Sequence, residues 1–280
     1  MTGYRTVLLL SDNSGEDYIA RIRSGASRTC SAAGFALNST NVYGQDQSLE
    51  VIVKETEHAG LILTPPVSDD RHILSLVERR RLPYVRIAPL LDPDRGDIVS
   101  MDEFEAASAV TRVLTARGHR RIAIMRGPNV HLVSMRRYNG YANALGEKGM
   151  RVDPALVVQG DFTRESGRAL AGRLFEAKPT AIFASNDEMA AGIIDAAQDA
   201  GIAIPQTISI VGYDDNAVAS RVRPRLTTVR QPLEQMGEAA GRLLAARLAS
   251  PGKAKEHTVV PFEIIERESV ADCKAEAATS

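Results

Sequence analysis

Short β-branched or leucine-rich runs alternate with longer amphipathic stretches from one end of this chain to the other, the pattern of βαβ units that feed a parallel sheet. In the first half strands are expected over 6–10, 60–63 and 84–88, and helices over 18–33, 48–58 and 71–80. The second half repeats the scheme. Helices over 105–116, 136–148, 165–177 and 189–200 alternate with strands over 121–125 and 156–159 and with two apolar strands inside 180–187 and 208–215. Val7, Leu61 and Val85 are 54 and 24 residues apart, and Ile122, Ile182 and Ile208 are 60 and 26 apart. These spacings are too irregular for a solenoid and similar enough for two α/β lobes. The turn-rich stretch 90–97 and the proline-bounded stretch 224–232 read as crossovers, the second leading into a helix over 233–248. A final strand is expected over 259–265. The division that follows gives 1–101 with 232–256 to an N-terminal lobe and 102–231 with 257–272 to a C-terminal lobe, with 273–280 as a frayed tail.

At 280 residues, 44% hydrophobic and 25% charged with a net charge of -1, the composition is that of an ordinary globular protein. No apolar run approaches a membrane span, and the N-terminus lacks a signal-peptide profile, so a cytoplasmic location and no membrane partner are expected. Cys30 and Cys273 have no metal-ligand or redox spacing, and they read as reduced thiols. The near-neutral balance argues against this stretch itself reading nucleic acid. The runs at 79–81, 120–121 and 221–225 are short and read as solvated ends and loops.

Catalytic signatures are missing: there is no phosphate loop, no dinucleotide-binding GxGxxG, no GxSxG elbow and no HExxH. The sequence therefore calls for no catalytic residue, no metal and no cofactor, and the expectation is not an enzyme. What it offers is polar groups at strand ends, where an open parallel sheet binds its ligands. Asn186 and Asp214 close two apolar strands, Arg137 brings a planar fork of donors, and Gln231 both donates and accepts. Phe162 follows another strand end, where its ring suits the apolar face of a sugar. The plain alternatives are core packing for Phe162 and N-capping for Asn186 and Asp214; capping accounts easily for one of the two and less comfortably for both.

Six segments taken together resemble the effector-binding core of the LacI/GalR family of bacterial transcriptional regulators: residues 118–127, the RxxGY pattern at 137–141 within 137–145, 160–163, 179–190, 208–215 and 226–232. The resemblance implies a periplasmic-binding-protein-like fold of type I, two Rossmann-like lobes joined by three crossovers, with a small sugar-like effector in the cleft. It implies effector contacts by Arg137, Asn186, Asp214 and Gln231, with Phe162 stacking on a ring. In the first lobe Tyr18 and Asp12 fall where the family meets its ligand, with Asn13 beside them. An aspartate common near the fourth strand's end is replaced by Ala88, and Arg86 on the same strand face is expected to substitute for it. Ala106 stands where a glycine usually opens the helix after the first crossover.

A homodimer is implied too, with helices 71–80 and 233–248 as candidate faces. The family reads operator DNA through an N-terminal helix-turn-helix headpiece; no basic helix pair of that layout is expected ahead of Thr6, so DNA is expected only as a partner of that headpiece. The function expected is a ligand-sensing repressor core. Its rival is a sugar-binding transport receptor of the same fold.

Overall fold

The computed structural model describes residues 5–13 and 15–273. In chain order it runs β1 (Arg5–Ser11), α1 (Glu16–Ala32), β2 (Phe35–Asn41), α2 (Leu49–Glu55), β3 (Leu61–Leu63), α3 (Arg71–Arg79), β4 (Tyr84–Ile87) and β5 (Asp97–Ser100). There follow α4 (Glu103–Ala116), β6 (Ile122–Arg126), α5 (Leu132–Gly146), β7 (Val157–Gln159), α6 (Arg164–Glu176), β8 (Ala181–Ala184), α7 (Asp187–Asp199), β9 (Ser209–Asp214), α8 (Ala217–Arg221) and β10 (Thr227–Arg230). The chain closes with α9 (Leu233–Ala249), β11 (His257–Val259) and β12 (Glu263–Ile265).

These elements form two compact units, Met1–Met101 with Pro232–Pro261 and Asp102–Gln231 with Phe262–Ser280. The first unit's sheet has the order β2-β1-β3-β4-β5-β11 and is parallel throughout. In the second unit the order is β7-β6-β8-β9-β10-β12, parallel except where β12 runs against β10. Both are doubly wound sheets with one switch point each, between β1 and β3 and between β6 and β8.

Local chemistry sets the boundaries. The central strands are apolar on both faces, as sheets covered by helices on two sides must be; Leu8, Leu61 and Leu63 form one core, and Ile182, Ile193 and Ile210 another. Side-chain caps fix where helices start: Asp70 accepts from the amides of His72 and Ile73, Asp102 from that of Glu105, and Thr163 from that of Ser166.

The sequence reading needs correction in several places. β2 was missed because its polar residues Asn38, Ser39 and Thr40 hide a strand that sits at the sheet edge, where one side faces no neighbour. β5 was not expected: it starts at the last residue of the 90–97 crossover, and its buried Ile98 and Val99 add a strand beside β4. The expected last strand over 259–265 is two strands parted by Pro261. β11 joins the first sheet and β12 the second, so 257–261 belong with the first unit. α5 begins a turn earlier than expected, at Leu132, and the helix that follows Asp214 is the short α8. Residues 274–280 of the expected frayed tail lie outside the described residues, while the Cys273 amide donates to the Arg117 carbonyl at 2.8 Å. Among the described residues no helix is long and apolar enough to cross a membrane.

Candidate functional site

In the second unit, polar groups from four elements meet at the carboxyl edge of the sheet. α5 carries Arg137 there, on the same helical face as buried Ser134, Gly140 and Tyr141. The guanidinium donates through Nε to Glu103 Oε2 at 2.9 Å and through Nη1 to the Ser185 carbonyl at 2.6 Å, and it lies over the Tyr213 ring at 3.7 Å. Nη1 also stands 3.7 Å from Asp214 Oδ1. The Tyr213 hydroxyl donates to the same Glu103 oxygen at 2.6 Å. Gln231 Nε2 donates to Asp214 Oδ1 at 2.6 Å. The Arg137 side chain is 6% exposed, whereas that of Asp214 is 23% exposed, so the carboxylate is the part of this cluster that reaches solvent best.

Burial works against the charge on Arg137, but Glu103, Tyr213 and Asp214 together offset it and hold the guanidinium above its ordinary value. Burial drives Asp187, at the start of α7, the other way: its carboxyl is pushed well above the usual range, and the negative charge of Asp214 adds to the rise. Thr228 Oγ1 and the Asn216 amide donate to it at 2.6 and 2.9 Å. A Cβ on Gly212 would stand 2.2 Å from Asp187 Oδ1, so this position of β9 must lack a side chain for Asp187 to turn inward. Asp215 is also half-buried, yet hydrogen bonds from Arg267 and Arg230 outweigh that and hold it below the usual carboxylate range.

Non-glycine residues in the left-handed region cluster here. Asp214 has φ 113°, Asp215 φ 51° and Phe162 φ 71°. Such backbone costs of order 1–3 kcal/mol per residue and persists where the surroundings over-determine it, commonly at ligand sites.

The expected residues divide. Asp214 is hydrogen-bonded to Gln231 and ion-paired with Arg137 at 3.7 Å, so these three form one cluster, and Asn186 adjoins it through Ser185. Asn186 does cap α7, its Oδ1 accepting from the Met189 amide, while its Nδ2 donates to the Phe162 carbonyl at 2.8 Å. Asp214 is not the cap of its helix; Asn216 caps α8. Phe162 is half-buried, 5.7 Å from the His131 ring, with its own ring occupying the space a Cβ on Gly127 would need.

In the first unit Asp12 and Asn13 follow β1. The Asn13 amide accepts from Gly15 N, and Asn13 N and O bond the Asn41 side chain. Tyr18 is half-buried on α1. Arg86 does not fit the contact expected of it. It is 0% exposed, and all five of its N–H groups are engaged, with the carbonyls of Ser68, Leu91, Asp92 and Arg95 and with Asp69 Oδ1. It ties two loops together, and burial lowers its pKa.

Three contributors escaped the sequence reading. Glu103 reads as an ordinary first-turn acid, Tyr213 as a strand aromatic, and Asp187 as the residue beside a cap. Only Asp187 left a signal: it is an acid directly after the amide at a strand end. Among the described residues, no group of three or more His, Cys, Asp or Glu is placed to hold a metal ion.

Two doubly wound units, one with a polar cluster at its carboxyl edge, define a small-molecule-binding α/β core of the periplasmic-binding-protein kind. The family described as periplasmic binding protein-like domain matches residues 111–270. The HTH-type transcriptional repressor PurR of Erwinia tasmaniensis is 34% identical over 278 residues, 96% of this chain and 80% of that one. PurR of Pectobacterium carotovorum is 32% identical over 274 residues, with the same coverage. Among solved structures, a transcriptional regulator CelR–cellobiose complex superposes with a TM-score of 0.86 at 28% identity, covering 95% of this chain and 84% of that one. A LacI family regulator from Enterococcus faecium with bound ribose gives 0.87 at 23% identity, covering 96% and 100%, a likeness of fold alone. The chain belongs to the LacI-type family of transcriptional regulators and is the ligand-sensing core of such a regulator. The relatives named here are regulators, and the transport-receptor alternative finds no support in them.

Proposed function

We propose that the carboxyl edge of the second unit's sheet binds a small, sugar-like effector and that occupancy there governs operator binding by a cytoplasmic, homodimeric repressor. The carrying observation is the convergence of Arg137, Asp214 and Gln231 in one cluster on strained backbone. Hydroxyl groups need both donors and acceptors, which Asp214, Gln231 and Asn186 supply, while Phe162 offers a ring face. In the first unit the proposal keeps Asp12 and Tyr18 as contacts and replaces the expected role of Arg86 with loop closure. The cellobiose complex of the similar regulator supports a sugar-like effector. Nothing in the reading calls for catalysis, since the cluster presents acceptors and donors without an activated nucleophile.

The dimer is proposed from the family rather than from a face. α3 buries Ile73, Leu74, Leu76 and Val77, and α9 buries Leu233, Met236, Leu243 and Leu244, so the apolar stripes of both expected helices are already covered within this chain. Sedimentation measures the dimer directly, and a monomer at micromolar concentration counts against it.

The test of the site is a thermal-shift screen of neutral sugars and nucleobases followed by calorimetry. A ligand at 100 times its Kd stabilises by about 2.7 kcal/mol. Asp214→Ala is expected to weaken binding at least ~100-fold with the cooperative melt retained, because its carboxylate is partly exposed. Unchanged affinity in that variant removes the site from this edge.

A further inference from the structure

The balance of charge and of hydrogen-bond donors around Arg137 bears on the chemistry of the ligand. A guanidinium grips an oxyanion through two parallel N–H bonds, side-on by Nε and Nη2 or end-on by Nη1 and Nη2. Here each of those forks includes a nitrogen that already donates to the protein. Nε is held by Glu103 at 2.9 Å and Nη1 by the Ser185 carbonyl at 2.6 Å. Nη2 bonds to no acceptor among the described residues, so the protein holds the guanidinium through two of its three nitrogens and a ligand can share it only beside those bonds.

Charge points the same way. Glu103 and Asp214 set two carboxylates against one guanidinium, at 2.9 and 3.7 Å. Behind them Asp187 adds a third, buried carboxyl. The other cations of this edge are turned elsewhere: Arg126 lies over the Tyr138 ring at 4.7 Å and donates to Asn129, while Arg230 and Arg267 both hold Asp215. Glu103 is itself fixed by the Tyr213 hydroxyl, and it lies just beyond the N-cap Asp102, so backbone and side chain both anchor it.

We infer that Glu103 is a specificity-determining residue: by pairing Arg137 within the protein it leaves an edge that takes an uncharged, hydroxyl- or amide-bearing ligand and turns away phosphates and carboxylates. This rests on the reading that the edge is the effector site. Glu103 acts through Arg137 and is a positioning residue; it need not touch the ligand.

The experiment uses inorganic phosphate as the anionic probe, beside the neutral sugars and nucleobases of the screen, in calorimetry at constant ionic strength. The wild type is expected to show no saturable phosphate binding. Glu103→Gln keeps an acceptor for Tyr213 and removes one negative charge; Glu103→Gln with Asp214→Asn leaves Arg137 as the cluster's dominant charge. Phosphate affinity is expected to rise stepwise, at least about tenfold from wild type to the double variant. Saturable phosphate binding to the wild type that Arg137→Gln abolishes overturns the inference, as does a folded double variant no better than wild type. Should the double variant fail to fold, wild type against Glu103→Gln decides, with an unchanged phosphate response counting against. If phosphate behaves as expected but no neutral compound binds any form, the effector-site reading fails while the role of Glu103 stands.

Discussion

The two units share a strand order and a switch point, yet each has put its buried arginine to a different use. Arg86 of β4 closes two loops with every N–H engaged; Arg137 of α5 is pinned on two sides, and its Nη2 bonds to no acceptor among the described residues. Topology supplies a place where ligands sit, and side chains decide whether it becomes a site or a brace. Strain follows the same division in part. Asp214, Asp215 and Phe162 are left-handed around the second unit's cluster, but Ala88 and Asp92 in the first unit are left-handed too, at φ 46° and 48°, in the loop that Arg86 ties down.

Arg86→Ala tests this contrast most severely. It strips donors from four carbonyls and from Asp69, whose carboxylate also receives the amides of Leu90 and Leu91. A loss of about 3–5 kcal/mol in urea denaturation is expected, as for one partner removed from a buried ion pair. Exchange protection at Leu90 and Leu91 should fall with it, while effector affinity of the folded protein stays within twofold. A loss of affinity with little loss of stability would return Arg86 to the role the sequence suggested.

On the second unit's side, Gly212→Ala comes next. Its Cβ would meet Asp187 Oδ1 at 2.2 Å and Leu226 Cδ2 at 2.6 Å, so Asp187 must leave Thr228 and the Asn216 amide. Overpacking of this kind costs about 1–3 kcal/mol. Because Asn216 follows the Asp214–Asp215 turn, effector affinity should fall alongside stability. A variant that is destabilised yet binds normally would detach Asp187 from the site.

Part of the second unit was legible because Asn186 and Asp214 follow apolar strands directly, so that pattern alone puts them at the carboxyl edge of the sheet. Position on a strand face could not tell where the loops after β4 fold, and that decides the fate of Arg86. Nor could it pair Glu103 with Tyr213, 110 residues away, because a buried hydrogen bond between distant side chains leaves no periodicity. Strand order was readable in outline. The edge strand β2 and the short strands β5 and β11 were not, since three to seven residues of mixed polarity carry little signal until neighbours pair with them.

Asp187 and His119 give opposite responses to pH. Burial, then Asp214, raises the Asp187 pKa, so the folded chain binds that proton more tightly than the unfolded one. Its contribution to stability is present below the ordinary carboxylate value and is lost as pH rises through the folded pKa. Asp187→Asn removes the titration while keeping polar atoms towards Thr228 and Asn216. The variant should therefore gain on wild type between pH 4 and pH 7 in urea midpoints, and a constant difference would mean that the carboxyl carries no such penalty.

His119 is the smaller effect. Burial lowers its pKa, the charge of Arg117 adds to that, and the Ala271 carbonyl, 3.0 Å from Nε2, opposes them. The unfolded chain then binds the proton more readily, so stability is full above the ordinary histidine value of about 6.5 and declines as pH falls through the window below it. The ring holds the segment at Ala271 to Thr180, just ahead of β8, at the end of the strand opposite the site. His119→Gln should flatten the urea-midpoint slope between pH 7 and pH 5 without altering effector affinity at pH 7. An unchanged slope would assign that acid sensitivity to the carboxylates instead, and a shift in affinity would mean that the two ends of β8 are coupled.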